Sequence, residues 1–430
     1  MKIRLFCVVL VALGTFQKAV AIPDTFIING NGNLIIPPVI PATPRFNADL
    51  TRPFLNVDVW ENGDVPGSWV AQPGLGGETI QKMSANPVLF GAVPYAVSAR
   101  SEAGSLQEIT INYLDAGPFF GFKLGGEKTH ADRQIGNQRR SEFAHQFDQL
   151  SRNLTKRLEG GCGPPKLTTV GRSNMLRMVY KDYRWEEFLL RLSIRPNHSI
   201  SLSLLREGSD FDSFLDDEVA AMSARQRSEQ WGENVIYAEN GDLTVSNIPM
   251  FSQGNTPFCG IHSLAMVGHY LGLRMPTDVL ESSANLRNTG SARGADIMGL
   301  YHATAEEVDL RVQLSSRFDA RRIAQSLEKG LPVIVWRRVS AEREQAHRQF
   351  AEKFARNPGA TLPTPSKSMI ASWPEREKKG TPSHASIVSG INLDRHEAIL
   401  TEPWGEDARG RRIRLEELTA TTYAAFYFRQ

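Results

Sequence analysis

The 430-residue chain has little cysteine: three residues, one of which, Cys7, falls in the leader described below. So few cysteines in so long a chain exclude a disulfide-stapled scaffold. After residue 21 no run is apolar enough to span a bilayer, so no stable membrane insertion is expected. An excess of one charge is lacking too, with 49 Lys and Arg against 47 Asp and Glu. Such a balance gives no electrostatic footprint for nucleic acid, and no nucleic-acid partner is expected. There is no internal repeat. His130, His145 and His198 lack metal-ligand spacing and read as surface residues, and neither a metal nor an organic cofactor is expected.

What is present begins at the N-terminus. Lys2 and Arg4 precede an apolar run, Leu5 to Phe16, and Ala19-Val20-Ala21 makes a small-x-small cleavage site. This is the layout of a secretory signal peptide over residues 1–21. The mature chain is then expected to start at Ile22 and to be secreted or periplasmic. Cleavage removes Lys2, Arg4 and Lys18 and no acid, leaving 46 basic against 47 acidic residues. Residues 22–60, rich in Pro, Gly and Asn, read as an extended segment. Residues 61–245 read as an α+β accessory region. It has short strand-like pieces, then a helix over 131–159 with Phe143, Phe147, Leu150, Leu154 and Leu158 at helical spacing and Gly160-Gly161 at its end. Strands near 178–205 and a charged helical stretch near 213–230 follow. A second domain is expected over 246–430.

The chemistry is concentrated in that second domain. Ile261, Leu264, Ala265, Gly268 and Leu271 have helical rhythm, which puts Cys259 at a helix N-terminus. Unpaired N–H groups and the helix dipole there favour a thiolate, the nucleophilic form of cysteine. Gln253, six residues earlier, carries an amide that can serve an oxyanion, with the Cys259 N–H as second donor. Ser383 to Gly390 and Ala398 to Thr401 read as a hairpin that brings His384 beside Glu402, a base and its orienting carboxylate. Asn392 is the other candidate for the orienting role. A Cys162–Cys259 disulfide is the competing reading of the two remaining cysteines. His262 and His269 fall on the proposed catalytic helix as supporting residues, and Trp404 is expected to pack beside the site. Helices near 277–284, 295–308 and 319–329 lead to a buried strand, 331–336. An insertion over 340–380, a charged helix from Ala341 to Arg356 and then a loop, ends just before His384 and reads either as a lid or substrate-selecting flap or as a solvated excursion.

Gln253-x5-Cys259-Gly260, then His384 opening a strand, then Glu402-Pro403-Trp404-Gly405 resembles the papain-like cysteine peptidases. With Ile248-Pro249-Met250 ahead of it, the block is most similar to the bacteriocin-processing, double-glycine-peptidase branch. The resemblance covers residues 246–430. It implies an α+β papain-like hydrolase domain, a catalytic helix packed on an antiparallel sheet, acting on a peptide or protein substrate. Cys259 is then similar to the nucleophile, His384 to the base and Gln253 to the oxyanion residue. Glu402 stands where the family carries Asp or Asn. A non-peptidase amidase or acyltransferase on the same module and an inactive secreted binding protein are the other readings. The oligomeric state and the role of residues 22–245, which by their N-terminal position invite comparison with an inhibitory pro-segment, are not legible.

Overall fold

The computed structural model describes residues 51–430 apart from 64, 73–77, 85–86, 103–104, 117–118, 120–129, 209–210, 254–257, 285–293 and 379–380, together with an isolated antiparallel pair, Ile27–Ile28 (β1) and Leu34–Ile35 (β2). The signal peptide expected over residues 1–21 lies outside the described residues. Among the described residues no helix is long and apolar enough to cross a membrane.

The chain is α+β, with antiparallel pairing throughout its described strands. Eight strands form the first sheet: Trp69–Gln72 (β3), Glu78–Met83 (β4), Ala96–Glu102 (β5), Ser105–Asp115 (β6), Lys166–Val170 (β7), Met178–Trp185 (β8), Phe188–Arg195 (β9) and Ser199–Arg206 (β10). Their order is β3-β4-β5-β6-β10-β9-β8-β7. The helix His130–Cys162 packs on β8 and β10 through Phe143, Phe147, Leu150, Leu154 and Leu158, the residues its sequence period singles out. It runs through Gly160-Gly161, beyond the end expected there. Gly163, at φ +81°, takes the left-handed conformation that a side chain would disfavour, and its N–H caps Glu159 O at 3.0 Å.

Part of the segment expected to be extended is helical. Thr51–Phe54 and Val57–Asn62 are short helices, the second capped by the Asn56 side chain on Asp58 N. Trp60 supplies the reason: its ring packs edge-on against Phe188 at 5.2 Å, and its indole N–H reaches Phe54 O. Burial of that one aromatic outweighs the turn-forming composition around it. The charged stretch near 213–230 is two helices, Asp217–Ala221 and Ala224–Glu233, divided by Ser223, which makes a capping box with Gln226.

The second sheet contains Val235–Tyr237 (β11), Leu243–Val245 (β12), Arg311–Ser315 (β13), Val333–Arg338 (β14), Ser383–Asn392 (β15), Glu397–Thr401 (β16), Arg409–Arg414 (β17) and Thr422–Arg429 (β18). The order is β11-β12-β15-β14-β18-β13, with β16 joining β15 to β17. β11 and β12 precede residue 246 yet pair into this sheet. β14, β15 and β18 are mostly buried because helices cover them. The helix Cys259–Tyr270 lies on β14 and β15, buried from Gly260 to Gly268, with Ser263 Oγ donating to Ala385 O at 3.2 Å. Val170, Leu176, Phe214 and Trp231 of the preceding region share its core.

The insertion is docked along its helical part. On the helix Ala341–Arg356, Arg343 donates to both Glu417 oxygens, at 2.9 and 2.6 Å, His347 lies 3.2 Å from the same carboxylate, and Phe350 is buried. Pairing on one buried carboxylate makes this stretch a buttress of the sheet where a flap or a solvated excursion was expected.

Candidate active site

Cys259 is the first residue of its helix. The preceding Phe258 makes no side-chain cap, and while the N–H groups of Ile261 and His262 donate to Phe258 O, the backbone at Gly260 serves the thiol. The Cys259 thiol and the His384 imidazole are close enough for each to shift the other's proton affinity. Burial pushes its pKa up, but the imidazole and the backbone around Gly260 and Ala385 outweigh burial and hold it below the ordinary thiol value. Both Cys259 and Cys162 are free, so the disulfide reading is set aside. Cys162 sits at the end of the long helix, where burial pushes its thiol up to about 11. The two thiols are thus shifted in opposite directions.

His384 begins β15 and is buried. Its Nε2 lies 2.8 Å from Glu402 Oε2, which leaves Nδ1 for the thiol. Burial opposes the imidazolium, but Glu402 and Cys259 outweigh it and raise His384 to about 9. The hairpin β15–β16 brings the pair together: Ile387 pairs with Thr401, so the start of one strand meets the residue after the other. Trp404 stacks on the imidazole, centroids 4.2 Å apart at 26°, and Arg411 lies over the outer indole face at 4.8 Å. Asn392 is elsewhere. Its amide donates to Asn240 O and Asp242 Oδ1 at the opposite end of β15, so Glu402 alone of the two candidates meets His384.

Glu402 is fully buried and has three partners. Besides His384, it accepts from Ser386 Oγ and Arg337 Nη2, both at 2.9 Å. Burial favours its neutral form, yet His384 and Arg337 outweigh it and keep the carboxyl below its ordinary value. Arg337 stands directly across from His384 in the β14–β15 register, and its other end reaches Glu344 of the insertion helix at 2.7 Å. Neither Arg337, Ser386 nor Glu344 is visible as a site residue in the sequence. The one signal is Arg337 closing an apolar strand, and only the strand register says what it faces.

Gln253 is tied to the same segment through its backbone, whose N–H donates to Pro403 O at 2.8 Å. Residues 254–257, between Gln253 and the helix of Cys259, lie outside the described residues. His262 and His269 are both supporting residues. His262 Nδ1 lies 3.3 Å from Phe251 O, and the His269 ring meets Phe251 edge-on at 5.0 Å. Burial lowers His269 to about 4.

Gly260 admits the neighbour that closes the floor of the site. A Cβ there would lie 2.5 Å from Trp336 Cζ2, and Gly260 O accepts from the buried Tyr301 hydroxyl, which in turn accepts from Trp336 Nε1. Gly260→Ala is therefore expected to displace Trp336 and cost about 1–3 kcal/mol. Thermal unfolding checks it, and an unchanged Tm would contradict the tight fit.

Residues 245–430 match the family model described as Peptidase_C39 like family. This segment is C39-peptidase-like. Similar solved structures include a C39-like peptidase from Bacillus anthracis, at 13% identity over 44% of this chain and 98% of that one, with a TM-score of 0.29. Another is the peptidase domain of Streptococcus ComA, a bifunctional ABC transporter involved in quorum sensing, at 14% identity over 42% and 96%, with a TM-score of 0.25. No curated protein matches the chain.

Proposed function

We propose that this chain is an exported thiol hydrolase, a cysteine peptidase whose C39-like segment cleaves amide bonds through a Cys259 acyl-enzyme. The observation that carries the reading is the closeness of a helix-terminal thiol to an imidazole whose far nitrogen is fixed by a buried carboxylate. The Cys259 thiolate attacks the carbonyl carbon, forming a C–S bond. The carbonyl oxygen becomes an oxyanion held by the Cys259 N–H and the Gln253 amide. Collapse breaks the C–N bond as His384 gives its Nδ1 proton to the departing amine. His384 then takes a proton from water, whose oxygen attacks the thioester. Breaking the C–S bond releases the acid and restores the thiolate.

Alkylation is the test. With the thiol held ionised by His384, iodoacetamide at pH 5.5 is expected to label Cys259 at least about 100-fold faster than free cysteine does. His384→Ala removes the acceleration. Labelling of Cys259 at the rate of an ordinary thiol in the unsubstituted protein ends the proposal. Activity against peptides but not simple amides separates a peptidase from a general amidase.

A further inference from the structure

A second group of polar side chains lies where the first sheet meets the C39-like segment. Asp115 ends β6. His198 lies in the turn between β9 and β10, which Asn197 closes at φ +61° and Ala116 N ties down on His198 O at 2.8 Å. Glu281 lies on the helix Thr277–Ser283. One ligating atom from each of the three lies within 4.8 Å of the others. His198 and Glu281 are buried, against the surface position expected of His198. The reason is the fold: the β9–β10 turn is pressed onto the helix, where Arg195 Nη1 also reaches Ser282 Oγ at 3.2 Å.

The spacing fits a metal better than an ion pair. His198 Nε2 is 3.4 Å from Glu281 Oε2. A charge-assisted N–H···O bond closes to about 2.7–2.9 Å. A tetrahedral zinc with bonds of about 2.0–2.1 Å puts its ligand atoms about 3.3–3.4 Å apart. The other oxygen, Glu281 Oε1, lies 3.7 Å from His262 Nε2. His262 thus stands as an outer neighbour of that carboxylate. Two carboxylates and an imidazole of borderline softness suit zinc or a similar divalent transition ion.

We propose that Asp115, His198 and Glu281 bind one divalent transition-metal ion, of the zinc type, that joins the accessory sheet to the helix Thr277–Ser283, which packs on the proposed catalytic helix. The site reaches the catalytic helix through Glu281 and His262, which stands three residues after Cys259 and lies against Phe251 O beside the oxyanion loop. It is independent of the thiol chemistry and stands or falls apart from it.

Metal content of the full chain in a Cys259→Ala background tests it, since the active-site thiol then cannot contribute. After zinc loading and dialysis, about one zinc per chain is expected to remain. Zinc added to chelator-stripped protein is expected to raise Tm by a few degrees. Cobalt in place of zinc should give visible bands of an N/O-ligated tetrahedral site. Asp115→Asn and Glu281→Gln, which keep shape, should each lower metal affinity at least about tenfold while the protein stays folded by circular dichroism. His198→Ala should abolish retention. Retention that all three variants leave unchanged, or no retention by the folded parent, overturns the assignment.

Discussion

His384→Ala is expected to lower kcat/KM on a susceptible peptide by about 10,000-fold and to erase the alkaline fall in rate. In the proposed mechanism the imidazole is both the counter-ion of the thiolate and the donor of the proton to the leaving amine. With His384 raised to about 9 and Cys259 lowered, the ion pair is the populated form between those limits. Below the window the thiolate takes up a proton, and the rate falls. Above it, near pH 9, His384 loses the proton the leaving group needs, and the rate falls again. The two limbs belong to the pair jointly. In the variant the thiol has no imidazolium beside it, so the acid limb moves up and the alkaline limb vanishes. A pH profile of kcat/KM for both proteins checks this. A loss under tenfold, or an alkaline limb that survives, would remove His384 from the mechanism.

Why Cys259, His384 and Glu402 were readable while their supports were not is a matter of range. A helix rhythm beginning at Cys259 and a hairpin with its turn near 394 are local patterns, and they carry the site geometry with them. The hairpin pairs Ile387 with Thr401, so Glu402 arrives beside His384 by register alone. Arg337 belongs to a strand whose partner lies 47 positions along the chain, across the insertion. Nothing in the local sequence announces that an arginine after Val-Ile-Val-Trp turns inward. The same holds for the first sheet. Helical spacing from Phe143 to Leu158 was plain, but helix 57–62 depends on Trp60 finding Phe188, and His198 is buried by a helix 80 residues downstream. Residues 405–430 offered no pattern of chemistry, and they form β17, a short helix and β18, the strand between β14 and β13.

Arg337→Met is expected to cost on the order of 3–5 kcal/mol of stability, because it strands charges that burial does not forgive. Arg337 is fully buried and donates to Ser386 at 3.0 Å, Glu344 at 2.7 Å and Glu402 at 2.9 Å. Without it the buried Glu402 and the partly buried Glu344 lose the cation they share, Glu402 keeping His384 and Ser386 and Glu344 keeping Arg411 at 3.4 Å and His347 at 3.6 Å. Urea unfolding measures the loss, and adding Glu344→Gln should return part of it by removing one of the stranded charges. The pH profile then separates support from chemistry. The Arg337 cation opposes the imidazolium across the β14–β15 pair, so its removal should move the alkaline limb to higher pH. Glu402→Gln removes the charge that favours the imidazolium, so it should move the limb to lower pH and reduce the rate by about 100-fold. Opposite shifts mean that Glu402 sets the proton affinity of His384 while Arg337 restrains Glu402. Shifts in the same direction, or a stability loss under about 1 kcal/mol for Arg337→Met, would mean that the buried network holds the sheet together without tuning the imidazole.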